Sequence, residues 1–248
     1  MVVFGYCVIA YVAFVLTSLY AVGFVGNWSV SLTVDRVSET SGGWFTAMLV
    51  NAILVGLFAL QHTLMGRPAF RSAMARIAPA AVERSTHVLI SSLFLMQVFA
   101  RWRPIPYRLY SFELSSLGFA LELLSLSGWA LAFFATFQFS HLDLFGLAQG
   151  LAHVRGEAPT GAQFEVPFLY RWVRHPIYFG ILVAVWCAPV MTVGHLLLAA
   201  MITAWVRVLA RLEETDLALE HPEYGRYRAH VPMLFPRSRA LRVRRRAG

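Results

Sequence analysis

The chain has 248 residues, 58% of them hydrophobic and 14% charged, with a mean hydropathy of +0.61 and a net charge of +8. That balance excludes an ordinary soluble domain and points to a polytopic membrane protein. Every basic residue is Arg, and six Arg crowd the tail from Arg237 to Arg246; such a tail reads as a terminus facing anionic lipid, and no basic domain able to read bases accompanies it, so no nucleic-acid partner is expected. Cys7 and Cys187 both sit in apolar runs, away from any metal-ligand spacing or any group that would lower a thiol pKa.

A membrane crossing needs about 20 apolar residues. In chain order the expected spans are Phe4 to Val25, Trp44 to Leu64, Ser85 to Ala100, Leu117 to Phe139, Ile177 to Val193 and His195 to Leu212. The last two are joined by a tight turn at Thr192-Val193-Gly194 and so form an antiparallel hairpin. The fold class is therefore all-α, a transmembrane helical bundle of about six spans with a C-terminal hairpin and a cytoplasmic cap. Ser85 to Ala100 is the weakest span, and five spans are the alternative. The N-terminal helices occupy 1–139 and the C-terminal loop, hairpin and tail 140–248, as one integrated domain. Six spans put both termini on one side, and the Arg-rich tail makes that side the cytoplasm. The loop Arg101 to Arg108 then lies outside with its Arg residues, against the positive-inside tendency.

Two clusters carry the chemistry. Arg174-His175-Pro176 begins a helix, because proline is tolerated in the first turn where its missing N–H costs nothing. Tyr178 and Gly180 follow on the first turn, and Gly180 would let a flat ligand approach the backbone. At the far end of the hairpin Arg211, Glu213 and Glu214 return to the same place. The pair offers cations for a carboxylate and carboxylates for an ammonium or a ribose. Tyr170, Trp172, Tyr178, Tyr224 and Tyr227 supply aromatic faces for an adenine and a sulfonium. S-adenosylmethionine presents that set of groups. An Arg cluster for the 2′-phosphate of NADPH is not apparent beside the acidic run Glu213-Glu214-Thr215-Asp216.

A methyl acceptor that carries a proton, as a thiol with its pKa of about 8.5 would, also needs a proton acceptor. His141 with Asp143, where the fourth span ends, is the first candidate, although residues two apart diverge on a regular helix. His62, beside Gln61 at the end of the second span, is the second. Glu122 and His195 fall at the opposite end, and Asn51 is expected to pin two helices together.

The run from Leu169 to Gly180, with Glu213-Glu214, Tyr224-Gly225-Arg226-Tyr227 and Val231-Pro232, resembles the membrane methyltransferases related to isoprenylcysteine carboxyl methyltransferase. A resemblance over nearly the whole chain is to the bacterial methanethiol S-methyltransferases, carried by Tyr20 to Asn27, Gln61 to Pro68, Glu83 to Thr86, Arg101 to Pro104, His141 to Leu147 and Pro189 to Thr192. It implies an integral protein of the bacterial inner membrane that takes S-adenosylmethionine from the cytoplasm and methylates a small thiol to dimethyl sulfide. The alternatives are a prenylcysteine carboxylate or phospholipid amine as acceptor, which would need an opening to lipid, or a non-enzymatic membrane accessory protein. Membrane lipids and a small thiol are the expected partners, and no metal is expected.

Overall fold

The computed structural model describes residues 1–28, 30–36, 43–157 and 165–236. The Arg-rich tail from Arg237 onward lies outside them. The described residues are mostly helical: α1 (Val2–Gly26), α2 (Gly43–Gly66), α3 (Pro68–Met74), α4 (Glu83–Arg101), α5 (Ser116–Thr136), α6 (His141–Leu144), α7 (Leu147–Arg155), α8 (Pro176–Trp186), α9 (Val193–Glu220) and α10 (Tyr224–His230). Two short strands, β1 (Arg108–Ser111) and β2 (Val190–Thr192), pair antiparallel at one end of the bundle.

Six helices form a closed ring. Going round it, α1 packs on α4, α4 on α2, α2 on α9, α9 on α8, α8 on α5, and α5 on α1. Phe24, Val55, Phe99, Val185, Leu198 and Ala199 meet in one core inside it. Outside, Ile9, Leu16, Leu19, Leu57 and Leu64 stay exposed, the inverse of a soluble protein and the expected face toward lipid. Among the described residues, α1, α2, α5 and α9 are long and apolar enough to cross a membrane. The protein is an integral membrane protein.

The other two ring helices differ from expectation. α4 is 19 residues long but carries Ser85, His87, Ser91, Ser92 and Gln97, and the three serines are buried against its neighbours rather than turned to lipid. α8 was expected to run to Val193 and instead stops at Trp186. Pro189 explains this: it cannot continue the ladder and disfavours helical backbone at Ala188. At 11 residues, α8 rises roughly 16 Å, too short to span a bilayer by itself. Residues 187–192 complete the distance as extended chain, with β2 laid against β1, so the tight turn expected at Thr192-Val193-Gly194 is replaced by a strand and a helix start. Thr192 caps α9, its hydroxyl accepting from the His195 N–H.

α5 and α8 are in backbone contact. A Cβ on Gly128 would fall 2.6 Å from the Gly180 carbonyl oxygen, and one on Gly180 would fall 2.6 Å from the Gly128 oxygen. Only glycine at both positions permits this approach. The antiparallel register that follows sets Ala132 beside Gly180 and, one turn on, Thr136 level with Pro176.

Candidate active site

The loop end of α8 and the end of α9 meet as the hairpin geometry requires. His175 precedes Pro176 at the start of α8, and Glu213 and Glu214 lie in the last turns of α9. Glu214 is the centre: it is 2% exposed and accepts from Arg174 Nε at 2.7 Å and from His175 Nε2 at 3.2 Å, with Arg228 Nε 3.4 Å from its second oxygen. Glu213 accepts from the Tyr178 hydroxyl and lies 3.5 Å from His175 Nδ1. Its side chain is far more open than that of Glu214, at 41% against 2%. The rings of His175 and Tyr178 stack at 5.3 Å.

A strap behind α10 locks this group. The N–H groups of Arg174 and His175 donate to the carbonyls of Pro232 and Met233, and Arg174 Nη1 donates to the carbonyls of Arg228 and Val231. Tyr224, Tyr227 and Val231 pack as a small core beneath it, and the Tyr227 hydroxyl donates to the Tyr170 carbonyl at 2.7 Å. Burial pushes the phenols of Tyr170, Tyr224 and Tyr227 well above their usual range, so all three remain neutral donors. Arg228 had no separate signal in the sequence, and of the strap only Val231-Pro232 stood out, as part of the family resemblance.

Two expected residues fall elsewhere. Arg211 is exposed on α9, and Glu214 takes its cations from α10 and the loop before α8 instead. The open side of Gly180 is filled by α5, so its missing side chain serves helix packing and not a ligand.

His141 is buried at the same end of the bundle, in the four-residue helix α6 capped by Ser140. Its Nδ1 is 2.7 Å from the Thr136 hydroxyl and its Nε2 2.9 Å from the Tyr11 hydroxyl. Its ring stacks on Phe137 at 4.1 Å. Burial holds the imidazole below its usual range, and hence neutral near pH 7. Asp143 does not orient it: the carboxylate accepts from Gln149 Nε2 at 2.8 Å, because residues two apart on a helical turn diverge. Thr136 takes that role. Phe139 links the two clusters, its ring 4.6 Å from that of Tyr170.

His62 packs between Trp205, Phe58 and His87 inside the ring, with Nδ1 3.0 Å from the Ser91 hydroxyl. It touches neither the Glu214 nor the His141 cluster directly. Trp205 is the intermediary, since it also packs on the Leu182–Val206 core beside Tyr178. Near His87, a cleft of about 260 Å³ opens between α2 and α4, lined by Met65, Arg71, Arg84 and Leu144.

At the opposite end, Asp35 accepts from His195 Nδ1 at 2.8 Å, from the Thr192 hydroxyl at 2.6 Å and from Asn27 Nδ2 at 2.8 Å. His195 Nε2 faces the Val185 carbonyl at 2.9 Å, so each ring nitrogen donates. Glu122 accepts from Trp28 Nε1. Asn51, expected to join two helices, holds the loop instead: it exchanges both hydrogen bonds with the backbone of Arg103. These groups are structural and distant from the Glu214 cluster.

Comparison with known proteins gives full-length relatives. The chain is 45% identical over 241 residues to methanethiol S-methyltransferase 2 of Bradyrhizobium diazoefficiens, with 96% of this chain and 91% of the relative aligned. It is 40% identical over 228 residues to methanethiol S-methyltransferase of Mycobacterium tuberculosis, covering 92% and 93%. Nurim of Bos taurus is 27% identical over 238 residues, covering 84% and 87%. No family model matches the chain, and no solved structure does.

Proposed function

The chain belongs to the methanethiol S-methyltransferase family, and from that membership we propose that it transfers a methyl group from S-adenosylmethionine to methanethiol, giving dimethyl sulfide. The observation that carries the reading is the Glu214 cluster: a buried carboxylate with Arg174, His175 and Arg228 around it, and a more open Glu213 at its rim.

The donor set fits the proposed methyl donor. Arg174 and Arg228 match an amino-acid carboxylate, Glu213 matches an ammonium or ribose hydroxyls, and Tyr170, Trp172 and Tyr178 offer faces to an adenine and a positive sulfur. When bound, the donor supplies a methyl group already activated by its sulfonium. The chain's residues then have two tasks: to hold donor and acceptor in line, and to favour the thiolate. Glu214 keeps Arg174 in place, and the strap Val231–Met233 keeps the loop before α8 from opening. His141, neutral and buried, is the proton acceptor on the thiol side, with Phe133, Phe137 and Phe145 excluding water around it. The site end of the bundle carries Arg67, Arg71 and Arg76 between α2 and α4 and Arg84 in the first turn of α4, and we assign it to the cytoplasmic face of the inner membrane by the positive-inside tendency.

The test is headspace gas chromatography of membranes expressing the chain, supplied with methanethiol and S-adenosylmethionine. Dimethyl sulfide is expected only when both are present. Intact donor binding with no product overturns the acceptor assignment and directs the search to larger thiols and lipid acceptors.

A further inference from the structure

His141 has no free ring nitrogen. The Thr136 hydroxyl donates to the Phe133 carbonyl at 2.6 Å, so its oxygen is the acceptor toward His141, and Nδ1 carries the hydrogen. That fixes the tautomer: Nε2 is the lone-pair nitrogen, and it accepts from the Tyr11 hydroxyl at 2.9 Å. A thiol cannot reach the basic nitrogen, because the Tyr11 phenol already occupies it.

We infer that Tyr11 is a catalytic residue of the thiol half-site: its phenol oxygen takes the thiol proton while its own proton passes to His141 Nε2, with Thr136 as the positioning residue behind. The inference rests on the methyl-transfer reading above and names the group that meets the acceptor. The electron count is simple. The S–H bond of the thiol breaks and the proton moves to the Tyr11 oxygen. The Tyr11 O–H proton moves to His141, which becomes imidazolium. The sulfur lone pair forms the new bond to the methyl carbon, and the carbon–sulfur bond of the donor sulfonium breaks with its pair left on the departing thioether.

Three features support this placement. Continuing the Gly128–Ala184 and Ala132–Gly180 register by one helical turn puts Thr136 level with Pro176, beside His175 and hence at the donor end. The Tyr11 ring is held by Phe14, Phe145 and the edge of His141, at 6.3, 5.9 and 5.7 Å, so the hydroxyl is aimed and does not swing. Among the described residues no carboxylate pairs with His141 or Tyr11: Asp143 is turned to Gln149, and the Arg84 guanidinium donates to the Asp143 carbonyl at 2.8 Å. From sequence, Tyr11 is one aromatic residue in an apolar helix, with nothing to distinguish it.

The experiment compares wild type, Tyr11→Phe and His141→Gln. Donor affinity is measured by calorimetry and turnover is followed against pH. Both variants are expected to bind S-adenosylmethionine as wild type does. Turnover at neutral pH is expected to fall about 10²- to 10⁴-fold, recovering as pH approaches the thiol pKa, where the anion forms unaided. A second readout supplies hydrosulfide, an acceptor already largely ionised at neutral pH: Tyr11→Phe should lose far less turnover with it than with methanethiol. Wild-type methanethiol turnover in a folded Tyr11→Phe, or an equal loss with both acceptors, overturns the role. If Tyr11→Phe does not fold, His141→Gln decides, and undiminished neutral turnover there overturns the relay. Absence of dimethyl sulfide from the wild type would instead overturn the acceptor reading, leaving the two failures distinct.

Discussion

Replacing Glu214 with Ala tests the site and its energetics together. The carboxylate is 2% exposed and balances Arg174, whose side chain is 9% exposed, with His175 beside it. Removing one partner of a buried ion pair costs about 3–5 kcal/mol, because the other charge stays desolvated. Arg228 is 56% exposed and adds little, since surface pairs contribute about 0–1 kcal/mol. The remaining bonds of Arg174 to the Arg228 and Val231 carbonyls soften the loss, so the lower end, about 3 kcal/mol, is expected. For a chain of this size that is a fall of roughly 6–12 °C in Tm. Thermal unfolding of detergent-purified protein, without donor, reads the structural part; calorimetric titration of S-adenosylmethionine into the folded fraction reads the rest and is expected to show no binding. Glu214→Gln keeps the shape without the charge and should fall between the two. A Tm within about 2 °C of wild type, with donor binding retained, would refute the view that Glu214 organises this end of the molecule.

Glu213→Gln changes an open carboxylate, so donor affinity should drop with little change in Tm, and an unaltered dissociation constant would remove Glu213 from the donor site. Gly180→Val should cost about 1–3 kcal/mol through overpacking against α5, while donor affinity of the folded fraction stays unchanged; weakened affinity with unaltered stability would restore Gly180 to a ligand role. Burial alone would raise the Asp35 carboxyl, but the hydrogen bond and charge of His195, with bonds from Asn27 and Thr192, outweigh it and hold the group below its usual range. A depressed carboxyl stabilises the fold above its unfolded pKa of about 3.9 and loses that contribution as pH falls through the folded value. Stability should therefore drop below about pH 4, and Asp35→Asn should flatten that acid limb in denaturation curves taken across pH; an identical acid limb in the variant would show that Asp35 does not generate it.

Why some of this was legible in the sequence and some was not follows from the range of the interactions. Arg174-His175-Pro176 and Glu213-Glu214 were recognisable together because a single hairpin joins them, and antiparallel helices return their ends to one place. The short α8 was legible in principle: Pro189 marks its stop, but hydropathy ran through it and favoured a longer span. Arg211 misled because it precedes Glu214 by three residues on one helix, a spacing that permits contact without requiring it. The buried carboxylate found better-placed cations on α10 and the loop before α8. The partners of His141 come from Tyr11, 130 residues away in sequence, and from the last turn of α5. Neither spacing nor composition encodes such a contact. The same holds for Asp35, which nothing in the sequence singles out, and for His195, expected only at the opposite end: the first loop meets the start of α9 through a contact 160 residues apart.

α9 connects these observations. Its first turn carries His195 in the Asp35 cluster, and its last turns carry Glu213 and Glu214. By helical rise the two positions lie roughly 28 Å apart, close to the thickness of a bilayer hydrocarbon core, about 30 Å. Between them the buried residues are Leu198, Ala199, Val206, Leu209 and Ala210, all apolar. An unpaired charge within hydrocarbon is expensive, so the buried ionisable groups of this helix, His195 and Glu214, lie toward its two ends, and each is closed by hydrogen bonds from other elements. The proposed donor site is thereby built on a helix anchored at its far end: Asp35 and Thr192 hold the start of α9, the Val185 carbonyl ties α8 to it through His195, and the Gly128–Gly180 contact holds α8 against α5. With both hairpin helices fixed in this way, the Glu214 cluster and Thr136, from which His141 hangs, keep one separation, which the proposed in-line transfer requires.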